Sequence, residues 1–195
     1  MEQSTQLQST ALLVLDVQDL IIKMMKNASL ILEPLTSAIK TARANNIPVI
    51  YVLIKFREGY PEVSPNNKTF MFYKNSTTIH FDTEEGSKIH EAVAPQPGDI
   101  VIEKKRTSAF TGGDLEVVLR AKGINHLVLT GLITSGVVLS TVREAADKDY
   151  RLSVLSDCCA DIDEEVHRVL TTKIFPRQTE VMTSGEWVDS FGHVE

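Results

Sequence analysis

Leu127–Thr141, LVLTGLITSGVVLST, reads as a buried strand, a tight turn and the start of a helix. Leu127, Val128 and Leu129 form the short apolar run, and Gly131 permits a sharp turn. Thr134 and Ser135 offer capping hydroxyls, and an apolar helix face follows at Val137, Val138, Val142 and Ala145. In an open α/β sheet a ligand binds beyond the carboxyl ends of the strands, so this turn stands where a site belongs. The free N–H groups of a helix start can hold developing negative charge. An ordinary strand–helix joint would look the same at this level.

Working outward, the same alternation recurs. Residues 11–15, ALLVL, form a continuous apolar run ending at Asp16, the mark of a strand buried on both faces. Residues 29–44 have helical spacing, with Ile31, Leu35, Ile39 and Ala42 on one face. Residues 48–54 and 99–103 are the next strands, the latter ending at Lys104. A helix at 113–122 is closed by Gly123. Residues 152–156 form a fifth strand ending at Asp157, and 163–173 a helix with Val166, Val169 and Leu170 inward. A short strand at 179–182 and a helical turn at 184–190 complete the chain. Alternating strands and helices predict an α/β fold: a doubly wound, three-layer parallel sheet with helices on both faces. No repeat or linker divides residues 1–195, which predicts a single domain with a flexible N-terminus at 1–10.

One segment breaks the rhythm. Residues 56–86 are rich in Pro, Asn, Thr and aromatics. A loop this long usually has a task, and a lid or substrate wall is the reading adopted here over a surface excursion or a pad for another subunit. A short helix is expected at 87–93.

Composition narrows the function classes. A net charge of -6 gives no support for nucleic-acid or anionic-membrane binding. No apolar run approaches a membrane span, and the first residues lack the parts of a signal peptide, which predicts a cytoplasmic protein. The two cysteines, Cys158 and Cys159, are adjacent and poorly placed to bridge each other. The five histidines show no ligand spacing, so no metal is expected. No GxGxxG follows the first strand, so neither a dinucleotide nor any other cofactor is implied.

Three strand ends share one edge of a parallel sheet: Asp16, Lys104 and the Gly131–Thr134 turn. A buried Asp is costly unless paired or functional, and Lys104 is its natural partner. The pair can be a tuned acid/base couple or a structural ion pair at the sheet rim.

These motifs resemble those of the isochorismatase-like hydrolases, also called the cysteine hydrolase family. LLVLDVQD is similar to that family's first-strand motif, ending in its catalytic Asp at Asp16. VIEKKRTSAF resembles its K-x-x-x-S-A-F segment, with the Lys at Lys104 and not Lys105. TGLITSGVVLST resembles T-G-x-x-T-x-x-C-V-x-x-T, and DCCAD its fifth-strand ending. The resemblance covers nearly the whole chain. It implies a homo-oligomer, a small-molecule substrate and a non-proline cis peptide at Leu132–Ile133 that helps form an oxyanion hole. The family's nucleophilic Cys aligns with Val137, which can neither attack nor donate a proton.

Three functions follow from that departure. The first is a hydrolase acting on a small polar molecule through Asp16 and Lys104 without a thiol, as true isochorismatases cleave a vinyl ether. The second is a binding or scaffold protein that kept the fold and lost catalysis. The third is an amide hydrolase using Ser135 or Cys158 as nucleophile, although Ser135 fits a helix cap and both cysteines fit core packing. Substrate contacts are assigned to Gln18, Phe56, Arg57, Phe110, Leu132, Ile133, Thr134 and Val137. Gln18 can orient Asp16 or the substrate, Arg57 can bind a carboxylate, and Phe110 can wall the pocket. Arg106 fits a surface residue equally well.

Overall fold

The computed structural model describes residues 9–191. Its six strands form one sheet: β1 (Thr10–Leu15), β2 (Val49–Ile54), β3 (Ile100–Lys104), β4 (His126–Leu132), β5 (Arg151–Ala160) and β6 (Glu180–Met182). Their order is β3-β2-β1-β4-β5-β6, and every pairing is parallel. The winding reverses between β1 and β4, so a crevice opens outside the carboxyl ends of those two strands.

The seven α-helices are α1 (Asp19–Lys23), α2 (Leu32–Ala44), α3 (Lys68–Lys74), α4 (Leu115–Ala121), α5 (Leu139–Asp147), α6 (Glu164–Val169) and α7 (Ser184–Asp189), counted among the described residues. The period of two along β1 sorts the core. Leu12 and Val14 join Leu35, Ile39 and Trp187 on the α2–α7 face. Ala11, Leu13 and Leu15 join Leu115, Leu119, Val142 and Ala145 on the α4–α5 face. Because β1 is buried on both faces, it has no polar side, which is why its sequence runs without alternation.

Several boundaries differ from the sequence reading. Thr10, placed in the flexible N-terminus, is buried in β1, and residues 1–8 lie outside the described residues. β5 continues past Asp157 to Ala160, its pairing with β4 shifting between Leu129 and Gly131. Both cysteines therefore lie inside the strand and not beyond it. Val166 is 36% exposed, and α6 has no fully buried side chain; Leu170, just past its end, is the first to reach the core. The 87–93 helix shrinks to one turn at Glu91–Val93. α1 and α3 were not foreseen, being too short for helical periodicity to register.

Residues 56–86 are an organised layer. Asn67 caps α3 by accepting from the Phe70 N–H. Phe70 then packs edge-on to Phe56, with ring centroids 5.4 Å apart. The Tyr60 hydroxyl accepts from the Phe81 N–H at 2.8 Å, and the Phe56 N–H donates to the Phe81 carbonyl at 2.8 Å. Arg106 donates to the Glu62 carbonyl at 2.9 Å, tying the loop after β3 to this layer rather than standing free at the surface.

Candidate active site

β1 stops because Asp16 turns the chain out of the sheet, with φ at +52°. Aspartate tolerates this left-handed region better than most residues. The turn leaves the edge of Ile54, in neighbouring β2, without a strand partner. Gln18 supplies one from its side chain: its Oε1 accepts from the Ile54 N–H at 2.9 Å, and its Nε2 donates to the Ile54 carbonyl at 3.1 Å and the Gly86 carbonyl at 3.2 Å. The amide stands in for a missing strand residue. The expectation that Gln18 orients Asp16 is therefore corrected, because its fully buried amide is spent on backbone.

Lys104 closes β3, opposite Ile54. Its side chain crosses the end of β2 and places Nζ 2.8 Å from Asp16 Oδ2. A second Nζ hydrogen goes to the Arg106 carbonyl at 3.0 Å. Lys104 is 1% exposed and Asp16 6%. The neighbouring Lys105 instead pairs with Glu103. Asp16 Oδ1 is buried and has no hydrogen-bond partner among the described residues. Burial pushes the Asp16 carboxyl above its ordinary value, and the Lys104 charge only partly offsets that. The couple thus has one oxygen held by an ammonium and one left over, on a group that holds its proton more tightly than a free carboxyl.

On the other side of the crevice, Leu15 of β1 pairs with Gly131 of β4. A Cβ at Gly131 would stand 2.0 Å from the Leu15 carbonyl oxygen, so only glycine allows this approach. The peptide between Leu132 and Ile133 is cis, where the resemblance puts it. The turn that follows is irregular, with Gly136 outside helical geometry at φ -91°, ψ -105°. The Ser135 N–H, one of the donors expected to be open, is taken by Asp161 Oδ2 at 2.6 Å. Thr134 Oγ1 lies 2.9 Å from His167 Nδ1.

The other assigned positions divide. Phe56, Phe110, Leu132, Thr134 and Val137 are all buried, and Ile133 keeps partial exposure. Val137 is 2% exposed and belongs to the core cluster that contains Leu15, Ala109 and Phe110. The Phe110 ring lies 5.7 Å from that of Tyr150 and carries Lys148 Nζ at 5.6 Å. Arg57 pairs with Glu62 at 2.6 Å, its side chain 75% exposed.

Cys158 and Cys159 sit on opposite faces of β5, in different core clusters, and both are free. Burial pushes the Cys159 thiol up to about 12 and that of Cys158 higher still. Tyr73 went unnoticed in the sequence because α3 did. Its phenol is raised first by burial and then by the charge of Asp16. Among the described residues no cluster of His, Cys, Asp or Glu has the geometry to hold a metal, and no helix is long and apolar enough to cross a membrane.

The family model described as the Isochorismatase domain matches residues 10–186, from the first residue of β1 into α7. The chain belongs to the isochorismatase family. Among isochorismatase relatives, the N-carbamoylsarcosine amidase of Arthrobacter sp is 33% identical over 57% of this chain, a match spanning only 42% of that enzyme. The ureidoacrylate amidohydrolase RutB of Caulobacter vibrioides is 31% identical, covering 76% of each chain. The solved structure of an isochorismatase family protein from Burkholderia thailandensis superposes with a TM-score of 0.82 at 27% identity, covering 95% of this chain and 96% of that one.

Proposed function

We propose that this isochorismatase-family protein hydrolyses a small polar molecule at the carboxyl ends of β1, β3 and β4, with Asp16 moving the proton and water, not a thiol, as nucleophile. The observation that carries this reading is the buried Asp16–Lys104 couple, 2.8 Å apart, with Asp16 Oδ1 unspent. A carboxyl whose burial favours the protonated form suits a general acid. In a vinyl-ether hydrolysis of isochorismate type, Asp16 gives its proton to the substrate carbon and water adds to the resulting oxocarbenium ion. That water returns a proton to the carboxylate, and the hemiketal collapses. Lys104 holds the carboxylate during the interval when it is charged. The layer at 56–86 serves as the lid.

The names of the relatives favour a second form of the same reading, in which the bond cleaved is an amide. Asp16 then starts as the carboxylate, takes a proton from the attacking water, and passes it to the departing nitrogen. A substitute nucleophile is disfavoured. Burial raises the Cys158 thiol even more than that of Cys159, so neither is held ready as a thiolate. The Ser135 side chain has no hydrogen bond to Asp16 among the described residues.

The test is turnover of isochorismate, N-carbamoylsarcosine, ureidoacrylate and simple amides by the wild type and Asp16→Ala, each with and without iodoacetamide. We expect turnover that depends on Asp16 and ignores the alkylator. An acid that must start protonated gives activity falling as pH rises, and a base gives the opposite limb, so the pH profile separates the two forms. Loss of turnover on alkylation would replace this mechanism with a cysteine route. An Asp16→Ala variant as active as wild type would remove the couple from the chemistry, and no turnover of any substrate by the wild type would favour the binding-protein reading.

A further inference from the structure

The turn at 133–138 is held from the side away from Asp16. Its own hydrogen bonding is weak in definition: the Ile133 carbonyl accepts from both Gly136 N–H at 3.0 Å and Val138 N–H at 3.4 Å, and the regular α5 ladder starts only at Leu139. Two side chains from the β5–α6 segment fix it instead. Asp161 takes the Ser135 N–H through Oδ2, and its Oδ1 accepts from the Asp163 N–H at 3.3 Å, which orients the carboxylate. Asp163 in turn caps α6 by accepting from Glu165 and Val166 N–H groups, so the segment carrying Asp161 is itself locked. His167, one turn further on, meets the hydroxyl of fully buried Thr134. A carboxylate accepting a backbone N–H is a charge-assisted bond, stronger than its neutral counterparts.

We infer that Asp161 and His167 are positioning residues: together they clamp the β4–α5 turn so that its backbone faces the Asp16–Lys104 couple in one fixed geometry. The inference rests on the proposed site. Neither side chain belongs to the Asp16–Lys104 couple, and each acts through the turn. Misplacing a reacting group by about 1 Å costs on the order of a hundredfold in rate, which is the scale of effect a lost clamp produces. Burial keeps the His167 imidazole toward its neutral form, against the opposing charge of Asp161, so Nδ1 stays available to the Thr134 hydroxyl.

The test uses the full chain. Amide exchange at residues 133–138 and steady-state kinetics are measured for wild type, Asp161→Ala, Asp161→Asn and His167→Ala. Asp161→Ala is expected to speed exchange at Ser135 by tenfold or more while amides in β1 keep their protection. It should lower kcat ten- to a hundredfold with KM changed less than threefold. Asp161→Asn retains a carbonyl oxygen for the Ser135 N–H and restores a substantial part of both, and it serves if the alanine variant does not fold. Unchanged exchange at Ser135 overturns the clamp. Faster exchange with unchanged kcat overturns its role in positioning. A wild type that turns over none of the panel counts against the proposed function alone, since the exchange experiment still decides whether the clamp exists.

Discussion

Lys104 carries the clearest prediction at the scale of a single residue. A buried ion pair adds little to stability, because desolvation offsets the attraction, but removing one partner strands the other. Lys104→Met leaves Asp16 buried with neither oxygen paired. We expect a loss of about 3–5 kcal/mol in urea unfolding at pH 7. The loss should shrink in acid, where a protonated Asp16 is no longer an unpaired charge. A loss under about 1 kcal/mol would mean that water reaches Asp16 freely. The motif DVQD pointed to Asp16, and VIEK to Lys104, because each is a charge ending an apolar run. The job of Gln18 was not legible. An amide that replaces a strand residue is visible only when the strand beside it is seen to turn away.

Gly131 belongs to the scale of elements, since its absent side chain lets β4 lie against β1. A Cβ there meets the Leu15 carbonyl at 2.0 Å, and the residue's φ of +125° is unfavourable for any L side chain. Gly131→Ala should therefore cost about 3 kcal/mol or more, read as a lowered denaturant midpoint or loss of folded protein. A near-neutral result would show that the two strands can separate at this point. The glycine was legible as a turn residue; that its reason is a close strand approach was not. The fate of Val166 makes the same point. Helical spacing assigned it inward, yet α6 ends after Val169 and only Leu170 reaches the core, because a pattern does not say how long the neighbouring surface is.

For the whole molecule, two buried groups give opposite slopes of stability against pH. His126 bridges β1, β4 and β5 through Thr10 Oγ1 at 3.2 Å and Ser153 Oγ at 3.0 Å. The Arg151 guanidinium, which can only donate, stands 2.8 Å from Nδ1, so Nδ1 is an acceptor and the ring is neutral. Burial, then the Arg151 charge, lowers its pKa from 6.5 to about 4. Its contribution is present above the unfolded value and is lost as pH falls from 6.5 toward about 4. That loss amounts to at most about 3 kcal/mol. Asp16 runs the other way: its folded pKa is raised, so its contribution is present in acid and lost as pH rises through the folded value. Denaturant unfolding from pH 4 to 7 should rise with pH, and His126→Gln should flatten the rise. A His126→Gln profile as steep as that of the wild type would mean that His126 does not set the slope.

The sequence by itself determined the doubly wound parallel sheet, since apolar runs alternating with amphipathic ones leave few other ways to bury both faces. It also determined which three strand ends carry Asp16, Lys104 and the Gly131 turn, because parallel strands place their carboxyl ends on one edge. Only the tertiary structure decided how those ends are used. Lys104 reaches Asp16 over an intervening strand, and Asp161 and His167 reach the turn from another segment, contacts between residues 88 and 26 to 33 positions apart. Hydrophobic pattern is a local property of the chain, whereas a hydrogen bond or an ion pair depends on where the fold brings two distant side chains together.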